Sequence, residues 1–376
     1  MNLTEAPEFS DLVTFDLNRK ERIHNWWWYK EGFSRALVDR LLDKMHVGNE
    51  SLVLDPFCGS GTTLLSCRQR GIASVGFELN PLPVFVSKVK TRDYDLEILS
   101  KFVKEARAWK FEKPKEIPKN EFYRKAFSKY ALQDIFWLKG MISSVREESA
   151  REFLYLALID AAMKGSWTVK QGSVVKTRKR QVAPVGKLFK SSIKGWLKDL
   201  KKANLPVVSA GVYEGDARRL PLGSGSIDAI ITSPPYLNKP EWQSEFRVEL
   251  NLFFGLPPTW RPQAVAREKT ADDRLRKAID GFDSMPEAAK DYFNVMIDAL
   301  GEMHRVLKQG GKAAVIIGGG CFPDMVVEND VCCANLAEVV GLSVKEILVA
   351  RRLCCTRDRT IKIGQVRESI LMLEKQ

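Results

Sequence analysis

The stretch from Ser51 to Glu78 constrains the fold of this chain most. Residues Ser51–Leu54 predict a short buried strand, residues Thr62–Arg70 predict a helix, and residues Ala73–Phe77 predict a second strand. A strand, a helix and a second strand within about thirty residues form a βαβ unit, whose two strands run parallel. The chain is therefore predicted to fold as an α/β protein.

The turn inside this unit reads DPFCGSGTT, from Asp55 to Thr63. Gly59 and Gly61 allow the backbone to turn tightly and to approach a ligand closely. The second strand ends at Glu78, where a carboxylate can accept hydrogen bonds from ribose hydroxyls. Leu64 stands where the dinucleotide-binding pattern has its third glycine, which weakens the alternative of a nicotinamide cofactor.

Strand-like patterns resume after residue 206 and predict the rest of one sheet. Helices are predicted at Phe33–Met45, with Ser34 as the N-cap, and at Tyr292–Leu307. The further predicted strands, of which the last two form an antiparallel edge, are Val212–Glu214, Ile227–Thr232, Lys312–Ile317, Val344–Arg352 and Glu368–Leu373. The pattern predicts a mostly parallel sheet flanked by helices.

The predicted strand Ile227–Thr232 runs directly into Ser233-Pro234-Pro235-Tyr236. Each proline fixes one φ angle and lacks an amide hydrogen, so the sheet cannot continue through this sequence. Two rigid residues at the end of a buried strand predict a corner that is held in one conformation.

The charge and the cysteines bound the class of protein. The 376 residues carry a net charge of +12, which suits a polyanionic partner such as DNA or RNA. No signal peptide is evident and no apolar run approaches the roughly 20 residues that span a bilayer, so a cytoplasmic protein without membrane association is expected. The 7 cysteines and 3 histidines show no metal-ligand spacing, which predicts reduced thiols and no metal site.

Taken together, DPFCGSGTT and the downstream TSPPY resemble the motifs of amino-methyltransferases that use S-adenosylmethionine, specifically the DNA methyltransferases acting on cytosine N4 or adenine N6. The resemblance covers residues 27–85 and 207–376. It implies a Rossmann-like class I methyltransferase fold, with a mostly parallel seven-stranded sheet flanked by helices and with helical and basic insertions. It also implies S-adenosyl-L-methionine as the cofactor.

The resemblance assigns residues to this cofactor. The glycine-rich turn would hold the methionine part, Glu78 the ribose, and Asp216 the adenine amine, while the segment from Trp28 to Ser34 would close over the methionine end. The predicted cofactor-binding residues are Trp28, Phe33, Ser34, Asp55, Phe57, Gly59, Ser60, Gly61, Thr62, Glu78, Asn80 and Asp216. The neighbouring Trp26 and Trp27 either stack near a ligand or pack in the core, and the sequence leaves both open.

The corner supplies the predicted catalytic residues, Ser233, Pro234, Pro235 and Tyr236. An exocyclic amine is a poor nucleophile because its lone pair is delocalised into the ring. The Ser233 hydroxyl and the Pro234 carbonyl can accept hydrogen bonds from such an amine, and the prolines lock that carbonyl in place. Tyr236 can stack on a base that has been extruded from the duplex.

The resemblance also bears on the target atom. Family members that act on cytosine N4 typically carry serine at the position of Ser233, whereas those acting on adenine N6 mostly carry an acid or asparagine. Cytosine N4 is the predicted target and adenine N6 the alternative. Methylation of cytosine C5 is not expected, because that chemistry needs a nucleophilic cysteine after proline and the chain has no Pro-Cys dipeptide.

Three segments are predicted. Residues 1–95 hold the cofactor motifs, residues 96–206 form a basic, largely helical insertion for target recognition, and residues 207–376 complete the catalytic domain with a second insertion at 237–290. Low apolar periodicity predicts a mobile basic loop at Val169–Lys190. The predicted nucleic-acid-binding residues are Lys176, Arg178, Lys179, Arg180, Trp242 and Arg247.

Double-stranded DNA is the expected partner, and RNA is the alternative, because the same corner chemistry would serve both. A restriction endonuclease acting on the same site is a further candidate partner. The sequence gives neither the recognition site nor the oligomeric state.

Overall fold

A computed structural model describes residues 2–171, 174–237, 245–257, 259–260, 273–357 and 361–376. Its strands are β1 Leu3–Glu5, β2 Leu52–Asp55, β3 Ala73–Glu78, β4 Thr168–Gln171, β5 Val174–Thr177, β6 Ala210–Glu214, β7 Ile227–Thr232, β8 Leu307–Gly318, β9 Gly320–Phe322, β10 Met325–Val327, β11 Leu342–Arg357 and β12 Ile361–Lys375. Its helices are α1 Arg35–Met45, α2 Thr62–Gln69, α3 Pro81–Thr91, α4 Leu96–Ala108, α5 Glu121–Ala126, α6 Lys129–Ser143, α7 Glu148–Lys164, α8 Val185–Ala203, α9 Arg247–Phe254, α10 Asp273–Ala278, α11 Glu287–Val306 and α12 Asn329–Val339.

One large sheet organises the catalytic part. Its strand order is β1-β11-β12-β8-β7-β2-β3-β6, and β12 is antiparallel to both of its neighbours while the other neighbouring pairs are parallel. Seven of these strands match the seven predicted, and the short β1 adds an eighth beside β11. The Rossmann-like class I methyltransferase fold is therefore confirmed, including the antiparallel pair formed by the two last strands.

The strand order places a crevice at the centre of the sheet. From β2 the chain continues to β3 on one side, whereas β7 lies on the other side of β2. In such sheets, ligands bind beyond the carboxyl ends of the strands where the order reverses. Helix α1 packs its apolar residues on one face of the sheet, and α11 and α12 pack on the other.

The insertion between β3 and β6 is largely helical, as predicted. Helices α4 and α6 to α8 pack around Phe153, Phe189 and Ile193, and this core continues into the segment before α1. Trp26 stacks on Trp196 with a ring-centroid distance of 4.7 Å, and its indole nitrogen donates to Asp199 at 3.1 Å. Trp26 and Trp27 are thus core residues, whereas Trp28 is 41% exposed.

The prediction of a mobile loop at Val169–Lys190 is wrong. The hairpin of β4 and β5 occupies its first part, and α8 begins at Val185. From Val185 onward the buried residues of α8 recur at helical spacing, but most of them lie beyond Lys190, so the shorter stretch gave too little of the pattern. Residues 172–173 lie outside the described residues.

The expectation that every cysteine is reduced is also wrong. Cys321 of β9 and Cys355 of β11 form a disulfide with a Cα–Cα distance of 5.8 Å, although they are 34 residues apart in sequence. β9 contacts β11 in the folded chain, and no local spacing signals that tertiary contact. The free cysteines are Cys58, Cys67, Cys332, Cys333 and Cys354. No helix among the described residues has the length and apolar character that crossing a membrane requires.

Candidate active site

Two side chains of α3 donate hydrogen bonds to the glycine-rich turn between β2 and α2. Gly59 and Gly61 adopt positive φ angles of 46° and 79°. The Ser87 hydroxyl donates to the Gly59 carbonyl at 2.7 Å, and Lys90 Nζ donates to the Ser60 carbonyl at 2.9 Å. Lys90 is fully buried, and this burial lowers its pKa to about 7. Two side chains of α3 therefore fix the Gly59 and Ser60 carbonyls of the turn.

A tyrosine that no sequence signal singled out covers this turn. A Cβ added at Gly59 would stand 2.7 Å from Tyr29 Cε1, so the Tyr29 ring lies directly on the glycine. Tyr29 also contacts a second aromatic ring, because it is stacked on Phe246 with an interplanar angle of 4°. The predicted closing segment Trp28–Ser34 thus reaches the turn through Tyr29.

Glu78 connects the turn to the end of β3. Its Oε2 accepts a hydrogen bond from the Gly59 amide at 3.3 Å, and its Oε1 accepts one from the Asn80 amide at 2.9 Å. Burial raises the pKa of Glu78 to about 7, against the opposing effect of these amides. A carboxylate in this position can still accept hydrogen bonds from two ribose hydroxyls, which favour its ionised form.

The raised pKa of Glu78 predicts pH-dependent cofactor binding. Because ribose hydroxyls bind the carboxylate, the affinity for S-adenosylmethionine should rise as Glu78 loses its proton, and should level off above its pKa of about 7. At one pH unit below that pKa, the affinity should be about tenfold below the plateau. Calorimetric titrations between pH 5 and pH 8 measure this affinity. Below pH 6, binding of the cofactor should release about one proton per site.

The matched variant is Glu78→Gln, which should bind more weakly and lose the pH dependence near neutrality. A residual dependence at lower pH belongs to Asp55, because burial raises the pKa of that carboxyl to about 6. An unchanged pH profile in Glu78→Gln would remove Glu78 from the ribose site.

The corner Ser233-Pro234-Pro235-Tyr236, here named the acceptor corner, lies next to the glycine-rich turn, as the paired motifs predict. Thr232 Oγ1 donates to Asp55 Oδ1 at 2.7 Å, and Thr63 Oγ1 donates to the Ile231 carbonyl at 3.3 Å. Asp55 also accepts from the Phe57 amide at 3.1 Å and is 2% exposed. The ends of β2 and β7 are thus hydrogen-bonded to each other, although Asp55 and Thr232 are 177 residues apart in sequence.

At the corner itself, Pro234 is buried, Pro235 is exposed, and Ser233 and Tyr236 are half-buried. Tyr236 donates its hydroxyl hydrogen to Glu368 of β12, a residue that carried no sequence signal. Burial, followed by the nearby Glu368 carboxylate, raises the pKa of Tyr236 well above its ordinary value. The tyrosine is therefore a neutral hydrogen-bond donor near pH 7.

Several predicted cofactor residues have clear structural roles. Ser34 caps α1 by accepting from the Leu37 amide, and Asn80 caps α3 by accepting from the Leu82 amide. Phe33 is buried in the core beneath α1, and Thr62 is buried in the first turn of α2. Contacts of these four residues with the cofactor stay predictions.

Trp28 and Asp216 are engaged with protein groups. The Trp28 ring lies under the Arg19 guanidinium at 3.8 Å and makes an edge contact with Phe15. Asp216, after the end of β6, pairs with Arg218 at 2.7 Å. The predicted contact of Asp216 with an adenine amine requires this pair to share or rearrange its hydrogen bonds.

The residues around the turn fit S-adenosylmethionine. Among the described residues, the Ser60 hydroxyl is buried and has no hydrogen-bond partner. Buried polar atoms are rarely left in this state, so an unpaired hydroxyl inside a glycine-rich turn favours a polar ligand there. The turn, Ser60 and Glu78 would hold the cofactor.

The positive charge of the chain is concentrated in one segment. Residues 96–206 contain 25 lysines and arginines against 11 aspartates and glutamates, a net charge of +14, so the remainder of the chain has a net charge of −2. Lys176, Arg178, Lys179 and Arg180, here named the basic cluster, are all exposed beside the β4–β5 hairpin. Further exposed lysines follow one side of α8, at Lys187, Lys194, Lys198, Lys201 and Lys202.

The second insertion is described only in part. Arg247, at the start of α9, is exposed, while the neighbouring Phe246 is buried against Tyr29 and Trp27. The predicted Trp242 lies outside the described residues. Nucleic-acid contacts at both positions stay predictions.

The sheet order, the glycine-rich turn and the terminal acid of β3 are those of the class I methyltransferase fold, whose members use S-adenosylmethionine, and the Ser-Pro-Pro-Tyr corner follows β7 beside that turn. A family model described as DNA methylase, covering enzymes of the N6 and N4 type, matches residues 10–84. Over these residues the chain is similar to the family of N4/N6 DNA methyltransferases.

Three relatives are named Type II methyltransferases. M.BsoBI from Geobacillus stearothermophilus is 27% identical over 279 residues, which cover 64% of this chain and 54% of that protein. M.AvaI from Nostoc sp. is 23% identical over 402 residues, covering 90% of this chain and 83% of that protein. M.MjaII from Methanocaldococcus jannaschii is 37% identical over 113 residues, covering 29% and 20%. The chain thus spans about half the length of M.BsoBI, at 54%.

Proposed function

We propose that this chain transfers a methyl group from S-adenosylmethionine to N4 of cytosine in double-stranded DNA. The observation that carries the proposal is the 2.7 Å hydrogen bond from Thr232 to Asp55, because it joins the acceptor corner to the glycine-rich turn. The cofactor, when bound, supplies an electrophilic methyl group on its sulfonium. The printed names of three relatives, all Type II methyltransferases, support DNA as the substrate class.

The corner would act on the target amine. Ser233 Oγ and the Pro234 carbonyl oxygen accept its N–H hydrogens, which turns the nitrogen lone pair towards the methyl group. The two prolines remove backbone freedom from these acceptors, so little reorganisation is needed as positive charge develops on the amine nitrogen. Holding the amine in line with the methyl group supplies much of the remaining acceleration. The bond from nitrogen to the methyl carbon would form as the sulfur–carbon bond breaks, with S-adenosylhomocysteine as the leaving group, and one N–H proton would pass to solvent so that the methylated amine is neutral.

Serine at position 233 favours cytosine N4 over adenine N6, as the family resemblance implies. Tyr236, three residues after this serine, is half-buried and supplies the aromatic ring of the corner. A base inside a duplex cannot reach the crevice, so the target base would be extruded and stacked on that ring.

The insertion at 96–206 would hold the DNA. Its net charge of +14 contrasts with −2 for the rest of the chain, and phosphate contacts supply most of the non-specific affinity of such proteins. The basic cluster and the exposed lysines of α8 belong to one packed body, because the hairpin follows α7 and α7 packs on α8.

Replacing all four residues of the basic cluster by glutamine should flatten the salt dependence of DNA binding. Each lost phosphate contact lowers the slope of log affinity against log salt by about 0.9. If all four residues contact phosphates, the slope should therefore change by about 3 to 4. Fluorescence anisotropy with a labelled duplex over a series of salt concentrations measures it.

The control removes the same charge from the amino ends of the strands, opposite the crevice, by glutamine substitutions at Lys44, Lys308, Lys312 and Lys345. This control should leave the slope close to that of the wild type. Equal slopes in both quadruple variants would show that the basic cluster does not contact DNA.

The target atom is tested in cells. The chain is expressed in a host that lacks its own DNA methyltransferases, and the genomic DNA is digested to nucleosides for mass spectrometry and read by single-molecule sequencing. We expect N4-methylcytosine in one short sequence context, and none with an empty vector. N6-methyladenine would assign the alternative target, and methylated RNA with unmethylated DNA would overturn the proposal of a DNA substrate.

A restriction endonuclease of the same specificity is a second part of the proposal. The Type II names of the relatives motivate it. Once the methylated context is known, lysates of the native cells can be assayed for cleavage of unmethylated plasmids at that context, and protection of methylated plasmids is the expected result.

A further inference from the structure

Tyr236 of the acceptor corner lies across three neighbouring strands of the sheet. In the strand register, Gly318 of β8 pairs with Glu368 of β12, and Glu368 pairs with Arg351 of β11. A Cβ added at Gly318 would overlap the Tyr236 ring, so the ring rests on the bare backbone of this glycine. The ring then extends to the next strand, where its hydroxyl donates to Glu368 Oε1 at 2.5 Å.

Glu368 is held from both sides. It is 3% exposed, and while Oε1 accepts from Tyr236, Oε2 accepts from Arg351 Nε at 2.5 Å. A buried carboxyl is tolerated only when it is paired and hydrogen-bonded, and Arg351 provides the opposite charge. A carboxylate accepts hydrogen bonds and cannot donate them, so the direction of the bond to Tyr236 is fixed.

This direction has a consequence for the serine of the corner. Ser233 also forms a hydrogen bond with the Tyr236 hydroxyl, which acts against burial and Glu368 by lowering the pKa of Tyr236. Because the one hydrogen of that phenol is directed to Glu368, Ser233 is the donor in this second bond. A hydroxyl has one hydrogen to donate, and Ser233 directs it towards Tyr236. The lone pairs of Ser233 Oγ are then left for the N–H of a substrate amine, as the proposed chemistry requires.

We propose that Glu368, held by Arg351, is a positioning residue for methyl transfer: it anchors the Tyr236 hydroxyl, fixes the ring against Gly318, and orients the hydroxyls of the corner as acceptors towards the amine. This inference rests on the proposed function. It adds two residues from the last strands of the chain, about 120 residues beyond the corner in sequence, to the machinery of the reaction.

The test compares Glu368→Gln with wild type in methylation of a duplex by radiolabelled S-adenosylmethionine. Glutamine keeps the shape, but its amide can donate as well as accept, so the direction of the Tyr236 hydrogen bond is no longer imposed. We expect kcat to fall by about 10- to 100-fold, somewhat less than the loss of a direct oxyanion donor. The KM for S-adenosylmethionine should stay within about twofold, because the turn that holds the cofactor is unaltered.

A double variant separates positioning from general damage. Tyr236→Phe removes the hydroxyl from the other end of the same bond, and it should lower kcat to a similar degree. In the Tyr236→Phe background, Glu368→Gln should then have no further effect, because the bond it alters is already absent. Losses that multiply would show that Glu368 acts on the sheet rather than through Tyr236, and would overturn the proposal.

The matched control is Glu374→Gln, at another glutamate of β12 that pairs with Lys345 at 3.6 Å near the strand end. It should leave kcat unchanged. Full activity of Glu368→Gln in a chain whose wild type methylates DNA would overturn this inference alone, whereas an inactive wild type would overturn the proposed function as well. If Glu368→Gln does not fold, an undiminished kcat in Tyr236→Phe is the overturning result.

Discussion

Replacing Tyr236 by alanine is expected to lower turnover on duplex DNA by more than about 100-fold, because it removes the hydroxyl bond to Glu368 together with a ring whose stacking on one base is worth about 1–3 kcal/mol. The affinity for S-adenosylmethionine should change little, since Glu78 and the glycine-rich turn remain in place. Tyr236→Phe keeps the ring and should fall between wild type and Tyr236→Ala. Methylation kinetics and calorimetry of cofactor binding measure the two quantities separately.

A mismatched duplex sharpens this prediction. Extrusion of a mispaired base costs less, so part of the loss in Tyr236→Ala should be recovered when the target base is mispaired. If cofactor affinity and turnover fall by the same factor in Tyr236→Ala, the stacking role is wrong.

Replacing Gly61 by alanine is expected to reduce cofactor affinity by more than about tenfold, which corresponds to about 1.4 kcal/mol. The φ angle of Gly61 is 79°, and an added Cβ would stand 2.7 Å from Ser87 Oγ and 3.2 Å from Ser87 Cα. The turn must therefore move away from α3, which disturbs the Ser87 bond to the Gly59 carbonyl. Calorimetric titration with S-adenosylmethionine measures the loss.

Gly71→Ala provides the matched control at the other end of α2. Gly71 has a similar φ angle of 72°, but an added Cβ would meet nothing within 4 Å. Both variants should lose about 1–2 kcal/mol of stability from the left-handed backbone conformation, as thermal or denaturant unfolding would show. Only Gly61→Ala should lose cofactor affinity, and an equal loss in Gly71→Ala would mean that global destabilisation explains both.

The catalytic fold was predictable from the sequence because its signals are local. Apolar runs that end in Asp55, Glu78 and Thr232 mark the carboxyl ends of parallel strands, and those ends meet at one edge of the sheet. The hydrogen bond from Thr232 to Asp55 joins two of these strand ends. The N-cap at Ser34 was predictable for the same reason, since a cap and its helix are neighbours in sequence.

The supporting residues of the site were not predictable, because each acts across a tertiary contact. Lys90 reads as an ordinary lysine near a helix end, yet it is fully buried under the Ser60 carbonyl. Glu368 and Arg351 read as polar interruptions in apolar strands, and only the register of β11 and β12 brings them to Tyr236. The disulfide between Cys321 and Cys355 is of the same kind.

The segment from Trp26 to Tyr29 connects the basic insertion to the glycine-rich turn, and its two contacting residues are only three positions apart. Trp26 is wedged among Trp196 and Phe153 of the basic insertion, while Tyr29 sits on Gly59 of the cofactor turn. We therefore expect a shift of the insertion upon contact with a polyanion to move Tyr29 on Gly59. We expect nucleic acid and cofactor to strengthen or weaken each other's binding by one common factor, as thermodynamic reciprocity demands.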